Sequence, residues 1–214
     1  MAAGALTVAA GVLVVAVIIV DAVATLVVVI RRDDAVKERI LRPMFGDEWA
    51  VTRTFPNRTV AGGETLTLGG VDFTVMDLGP GESPHDSIRL LGDDRHTVFA
   101  GDLVYDHKHA YLADGHHQEL LATLARLREE MPDDSTLYPG HGDPASPALM
   151  DWQAGYITTV VDAVRAADWT DPDGARASAV DRVRRYLPED GLQFLMELSL
   201  TPLAESLGLI PRSS

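Results

Sequence analysis

All seven histidines of the chain fall between His85 and His141, within one stretch of the sequence. Three segments of this stretch place an imidazole or a carboxylate beside glycine or proline, where a strand gives way to a loop: Gly79-Pro-Gly-Glu-Ser-Pro-His85, Phe99-Ala-Gly-Asp102 and Tyr138-Pro-Gly-His141. Loops at strand ends are where a rigid sheet presents functional side chains. We therefore treat His85, Asp102 and His141 as one candidate site.

The donor atoms of this set are those of a metal site built from nitrogen and oxygen. The chain has no cysteine, which excludes thiolate ligands, iron–sulfur clusters and disulfides. Imidazole and carboxylate together suit zinc, iron or manganese, and zinc is the usual metal of hydrolysis. The alternative is turn chemistry, in which Asp102 closes an Asx-turn and His141 packs in a Pro-Gly turn.

Two of the segments, Phe99-Ala-Gly-Asp-Leu-Val-Tyr105 and Tyr138-Pro-Gly-His-Gly142, resemble motifs of the metallo-β-lactamase-fold hydrolase superfamily and occur in the same order. The resemblance extends from about residue 25 to residue 164. It implies that His85 belongs to a first metal site, that Asp102 bridges two metals and is the catalytic carboxylate, and that His141 binds the second metal.

The superfamily's His-x-His-x-Asp-His signature is absent, because no histidine precedes His85. Apolar residues 1–20 stand where the signature would lie. The remaining ligands come from two different metal sites, so we expect at most one zinc ion, or one iron or manganese ion. The usual Pro-Gly-His of the first motif is replaced by Pro80-Gly81-Glu82, which makes Glu82 a competing ligand.

The resemblance implies that metal-activated water hydrolyses a small-molecule ester, thioester, lactone, amide or phosphoester. Glu82, His109 and Tyr111 would line the substrate pocket. The alternative is a non-enzyme, a degenerate or truncated member that acts as a soluble or membrane-tethered binding module. The missing signature favours this alternative, whereas the three surviving ligand positions favour the hydrolase. Hydrolysis close to background is the expectation.

Two hairpins must position these loops. Residues 65–68 and 71–75 alternate apolar with polar side chains across Gly69-Gly70, and residues 87–91 and 96–100 form a second pair. A short strand at residues 136–138 is expected to stop at Pro139-Gly140.

Helices are predicted after the second hairpin. The leucine stripe from Leu120 to Leu127 indicates one, with His116-His117 at its start. Another begins after Ser146-Pro147 and runs to about Trp169, followed by two further helical stretches. The predicted fold class is α/β (α+β), an αβ/βα sandwich whose N-terminal half is incomplete or rewritten.

Residues 5–30 are apolar apart from Thr7, Asp21 and Thr25. As a membrane span, this segment would be followed by Arg31-Arg32 on the cytoplasmic side, although Asp21 counts against insertion. As two buried strands, residues 11–20 and 25–30, it has the valine and isoleucine content that such strands favour. Periodicity does not separate the two.

The domain prediction follows from this shift in composition. Residues 1–30 form the apolar segment and residues 31–214 the metallo-β-lactamase-like domain, with C-terminal helices from about residue 147. The domain is expected to be cytoplasmic, or anchored to the membrane with its bulk on the cytoplasmic side. The formal net charge of −14 repels nucleic acid, which excludes that class of partner.

Overall fold

The structure is a computed structural model that describes residues 38–39, 42–43, 45–49, 59–92, 95–188 and 191–212. The chain divides into two compact units, residues 1–60 and 61–214. In the first, a short 3-10 helix spans Gly46–Glu48. The Trp49 indole N–H donates to a Glu38 carboxylate oxygen at 2.6 Å. Residues 5–30, for which a membrane span and buried strands were both predicted, lie outside the described residues.

Among the described residues, the second unit contains one five-stranded sheet. Its strands are β1 (Thr65–Leu68), β2 (Val71–Gly79), β3 (Asp86–Leu91), β4 (Thr97–Tyr105) and β5 (Thr136–His141), and they lie side by side in that order. Strands β1 to β4 pair antiparallel, which confirms both predicted hairpins, while β4 and β5 pair parallel.

Strands β4 and β5 extend beyond their predicted ends. The sequence predicts stops at Ala100 and at Tyr138, yet pairing continues to Tyr105 opposite His141, with register shifts on either side of Gly101. Proline is tolerated on edge strands because one side of such a strand needs no donor. Pro139 lies on β5, which is last in the strand order. The longer strands carry Asp102 and His141 within the sheet rather than in the loops beyond it.

The described part of this unit also contains four α-helices, the first between β4 and β5 and the others after β5: α1 (His117–Glu130), α2 (Ala148–Arg165), α3 (Pro172–Tyr186) and α4 (Gln193–Ser206). Helix α1 begins at His117, as predicted, and buries Leu120, Leu124 and Leu127 of its leucine stripe. Helix α2 ends at Arg165, before the predicted Trp169. Its end is closed by the Trp169 indole N–H, which donates to the Val164 carbonyl at 2.8 Å.

One face of the sheet packs with the helices in a single apolar core. Buried side chains of this core come from β3, β4 and β5 and from helices α1 to α4, among them Ile88, Val98, Leu137, Leu124, Val160, Val183 and Leu200. Cross-strand neighbours share a face, so Val75, Arg89, Phe99 and Tyr138 lie together on the opposite face. The helical layer anchors the sheet and fixes the adjacent C-terminal ends of β4 and β5.

None of the helices in the described ranges has the length and apolar character needed to cross a bilayer.

Candidate metal site at the ends of two parallel strands

The structure brings Asp102 and His141 together. Asp102 Oδ1 lies 3.6 Å from His141 Nε2, and the two side chains are 53% and 42% exposed. Asp102 lies in β4, and His141 is the last residue of the neighbouring parallel strand β5. A carboxylate and an imidazole therefore converge at one edge of the sheet, open to solvent.

Glycines make this approach feasible. Gly140 lies directly against Asp102, because a Cβ at Gly140 would collide with the Asp102 carboxylate and would lie 2.9 Å from the Asp102 backbone nitrogen. Gly101, with φ +56°, turns the backbone into the left-handed region that glycine adopts at little cost. The glycines that mark these motifs in the sequence thus have a direct steric role.

Tyr105 forms the floor of the site. Its ring stacks on the His141 imidazole, with 5.3 Å between centroids and 15° between planes. Burial raises the pKa of the Tyr105 hydroxyl well above its ordinary value, and the negative charges of Glu82, Asp102 and Asp86 raise it further. The phenol therefore stays protonated, and three carboxylates lie around it.

The loop before β3 is organised by Asp86. One Asp86 carboxylate oxygen accepts from the Glu82 backbone N–H at 2.5 Å, and the other accepts from the Ser83 hydroxyl at 2.7 Å. A Cβ at Gly81 would collide with this carboxylate, so the loop closes tightly around it. Burial raises the Asp86 pKa, and nearby Asp102 adds to the effect.

The two loop candidates differ in placement. Glu82 is half-buried, and its charge acts on Tyr105 together with that of Asp102. His85 is exposed at the far end of the loop, where its backbone N–H donates to Ser83 Oγ at 3.3 Å. Of the two loop residues, Glu82 is thus the one whose charge acts on Tyr105, the residue that stacks on His141.

The two predicted pocket residues beyond β4 lie in different environments. His109 is completely buried, and its Nδ1 lies 3.0 Å from the Tyr156 hydroxyl, so it is part of the packed interior. Tyr111 is partly exposed, and its hydroxyl donates to Asp114 at 3.3 Å.

Asp106 is a polar residue of the site that sequence reasoning missed. Its Oδ1 lies 2.6 Å from His107 Nδ1, and its Oδ2 accepts from the Asp143 backbone N–H at 3.0 Å. The hydrogen bond from His107 and that from Asp143 lower the pKa of the Asp106 carboxyl, which is ionised at neutral pH. The sequence carries no signal for this contact, because β4 and β5 are predicted to stop at Ala100 and Tyr138, before Asp106 and Asp143.

The donor pair fits one metal ion in spacing and in chemistry. Two ligands of a tetrahedral zinc ion, each about 2.0–2.2 Å from the metal, lie about 3.3 Å apart. The 3.6 Å between Asp102 Oδ1 and His141 Nε2 is within a few tenths of an ångström of that separation. The set is not complete, because within the described ranges no three histidine, aspartate or glutamate side chains are grouped as metal ligands.

Comparison with solved structures identifies the fold. A metallo-β-lactamase family protein from Thermus thermophilus matches 86% of this chain and 64% of its own, with 15% sequence identity and a TM-score of 0.54. A β-lactamase domain protein from Burkholderia ambifaria matches 74% of this chain and 47% of its own, with 17% identity and a TM-score of 0.49.

A third similar protein was solved in a di-iron-bound form. It is 30% identical to this chain over 46% of this chain and 47% of its own, with a TM-score of 0.36. The chain thus spans about half to two thirds of the length of these proteins. No family model and no curated protein matches the sequence.

At 15% identity the Thermus similarity shows the fold alone. The chain has the metallo-β-lactamase fold, and the predicted α/β class and fold resemblance are confirmed.

Proposed function

We propose that this chain is a metal-dependent hydrolase relative that binds a single divalent ion through Asp102 and His141. The observation that carries this proposal is the 3.6 Å approach of Asp102 Oδ1 to His141 Nε2 at an exposed edge of the sheet. Zinc is the first candidate, and iron or manganese are alternatives with the same ligand chemistry. The ion would link two strands that only the tertiary fold brings together.

The residues around the pair have distinct roles in this proposal. Asp102 and His141 hold the ion, Glu82 or His85 supplies a further donor, and the buried Tyr105 ring supports the imidazole. The chemistry that such an ion supplies is activation of water and polarisation of a substrate oxygen. The proposed substrate is a small ester, thioester, lactone, amide or phosphoester.

A second candidate is a non-catalytic member that uses the same edge for binding. The specific observation in its favour is that no three donor side chains are grouped in the described part of the chain. The Asp102–His141 pair alone holds an ion less firmly than the three ligands found in catalytic zinc sites, so affinity depends on the further donor that Glu82 or His85 supplies. We therefore expect the hydrolase to be slow.

The test is a panel of thioester, lactone, phosphodiester and β-lactam substrates assayed with zinc, manganese and iron. We expect slow, metal-dependent turnover that Asp102→Ala abolishes. The matched control is His96→Ala, because His96 forms a separate surface pair with Asp134, at 3.2 Å, and should leave turnover unchanged. Turnover that persists in Asp102→Ala would indicate a contaminant and would favour the non-catalytic candidate.

A further inference from the structure

The turn that carries His141 is attached to the end of β4 by one residue. The backbone N–H of Asp106 donates to the His141 carbonyl at 2.9 Å. Its carboxylate then reaches past His141 and accepts from the Asp143 backbone N–H at 3.0 Å. Asp106 thus holds the backbone on both sides of Gly142, next to the imidazole.

Gly142 shows how closely the two segments approach. Its φ is +102°, and a Cβ at this position would lie 2.5 Å from Asp106 Cβ and 2.9 Å from the Asp106 carbonyl oxygen. No side chain fits between Asp106 and the turn. The contact is therefore a close backbone approach, fixed by glycine on one side and by Asp106 on the other.

The second carboxylate oxygen of Asp106 is tied to a different part of the fold. It lies 2.6 Å from His107 Nδ1, and the His107 ring lies against Trp152 of α2 with 4.4 Å between centroids. His107 has φ +49°, a conformation that a residue with a side chain adopts only when its surroundings hold it there. Asp106 is therefore anchored towards helix α2 as well as towards the turn.

We propose that Asp106 is a positioning residue that fixes the His141 turn so that the imidazole faces Asp102. Without the carboxylate, the imidazole would keep its stacking on Tyr105, and the Asp106 backbone N–H would still reach the His141 carbonyl, but the Asp143 N–H would lose its acceptor and the link to His107 would be lost. The positioning role itself requires no metal. Only its expected effect on metal affinity rests on the proposed function, in which His141 is a ligand.

Two substitutions separate this role from a general loss of packing. Asp106→Ala removes both side-chain hydrogen bonds. Asp106→Asn can keep both, because its amide oxygen accepts from the Asp143 N–H while its amide nitrogen donates to unprotonated His107 Nδ1. We expect Asp106→Asn to behave like the wild type and Asp106→Ala to differ from it.

The first readout needs no metal. In the metal-free protein the Tyr105 ring lies over His141, so the ring protons of His141 should show ring-current-shifted NMR resonances, assigned by their loss in His141→Ala. We expect Asp106→Ala to move these resonances and Asp106→Asn to restore them, while those of His96 stay fixed. If Asp106→Ala does not fold, His107→Ala provides the test, because it removes one of the two hydrogen bonds from an exposed side chain and should cause a smaller shift.

The second readout is zinc affinity, measured by competition with a chromophoric chelator. Partners that orient metal ligands are worth roughly 10- to 100-fold in affinity, and we expect about a tenfold loss for Asp106→Ala. In a His141→Ala background the same substitution should change the residual affinity by much less.

Three results would overturn the inference: unchanged His141 resonances in the folded variants, failure of Asp106→Asn to restore them, or an equal affinity loss with and without His141. If the wild type binds no zinc, the proposed function fails, and the metal-free resonances still decide whether Asp106 positions His141.

Discussion

Asp102 and His141 lie 3.6 Å apart because two parallel strands end beside each other, and no local motif contains both residues. The pair is open to solvent, and its imidazole rests on the buried ring of Tyr105. The site therefore depends on the pairing of β4 with β5, and changes that disturb this pairing should alter both stability and metal binding.

Gly140→Ala should test this dependence most simply. The added Cβ would collide with the Asp102 carboxylate and lie within 3 Å of the backbone at Gly101 and Asp102. Overpacking of this kind costs about 1–3 kcal/mol of unfolding free energy, to be measured by urea denaturation. We also expect zinc affinity to fall.

The matched control is Gly191→Ala, where the new Cβ would meet only the flexible end of the Lys108 side chain, which can move aside. Gly191→Ala should lower the unfolding free energy by much less than Gly140→Ala. Equal stability losses in the two variants would contradict the tight packing of Gly140 on Asp102.

Glu82 and His85 can be distinguished as the further donor. The Glu82 charge acts on Tyr105 together with that of Asp102, whereas His85 is exposed at the end of its loop. We expect Glu82→Gln to lower zinc affinity by about tenfold, as loss of a weak ligand would, and His85→Ala to change it by less than about twofold. Zinc titrations of both variants provide the measurement, and the reverse order would make His85 the ligand.

The pKa shifts of Asp86 and Asp168 should make stability depend on pH in opposite directions. Burial raises the folded-state pKa of Asp86 above its ordinary 3.8, so its contribution to stability is full below pH 3.8 and is lost as pH rises through the raised value. The difference in unfolding free energy between wild type and Asp86→Asn should therefore fall as pH increases from 3 towards neutrality.

Asp168 provides the contrast, because hydrogen bonds from Thr170 lower its pKa. Its contribution is present above pH 3.8 and is lost as pH falls through the lowered pKa, so the corresponding difference for Asp168→Asn should rise with pH. Two slopes of the same sign in urea denaturation at a series of pH values would refute the assignment of these shifts.

The hairpins and the leucine-striped helix could be predicted because their patterns are local. Alternation across Gly69-Gly70 specifies a hairpin whatever surrounds it, and the structure has β1 and β2 there. The ends of β4 and β5 could not be predicted. Pro139-Gly140 is a local stop signal, yet β5, the last strand in the described sheet, accommodates it.

The difference between local patterns, which could be predicted, and tertiary contacts, which could not, applies to the site as well. Glycines beside Asp102 and His141 marked both residues in the sequence, since close backbone approach requires them. The stacking of Tyr105 on His141 and the hydrogen bonds of Asp106 were not predictable, because each joins residues that only the parallel pairing of β4 and β5 brings together. His109 illustrates the converse, since a histidine beside a candidate site in sequence is packed against Tyr156 in the interior.

Removal of residues 1–30 would distinguish the two interpretations of the apolar segment. The sheet carries apolar side chains on both faces, with Val75 and Phe99 opposite the helical layer. If the segment supplies core strands, we expect a chain starting at Arg31 to aggregate or to unfold without cooperativity, because an apolar face would be exposed. The membrane span would instead be supported if the full-length protein requires detergent while the truncated chain is soluble and unfolds cooperatively.

The central claim is that Asp102 and His141 bind one metal ion, and zinc stoichiometry tests it most directly. Purified protein that is loaded with zinc and then dialysed to remove free metal should retain one ion per chain by elemental analysis. His141→Ala should lose it, whereas His96→Ala, which removes the histidine of the surface pair with Asp134, should keep it. No zinc in the wild type, equal retention in His141→Ala, or two tightly bound ions per chain would contradict the account.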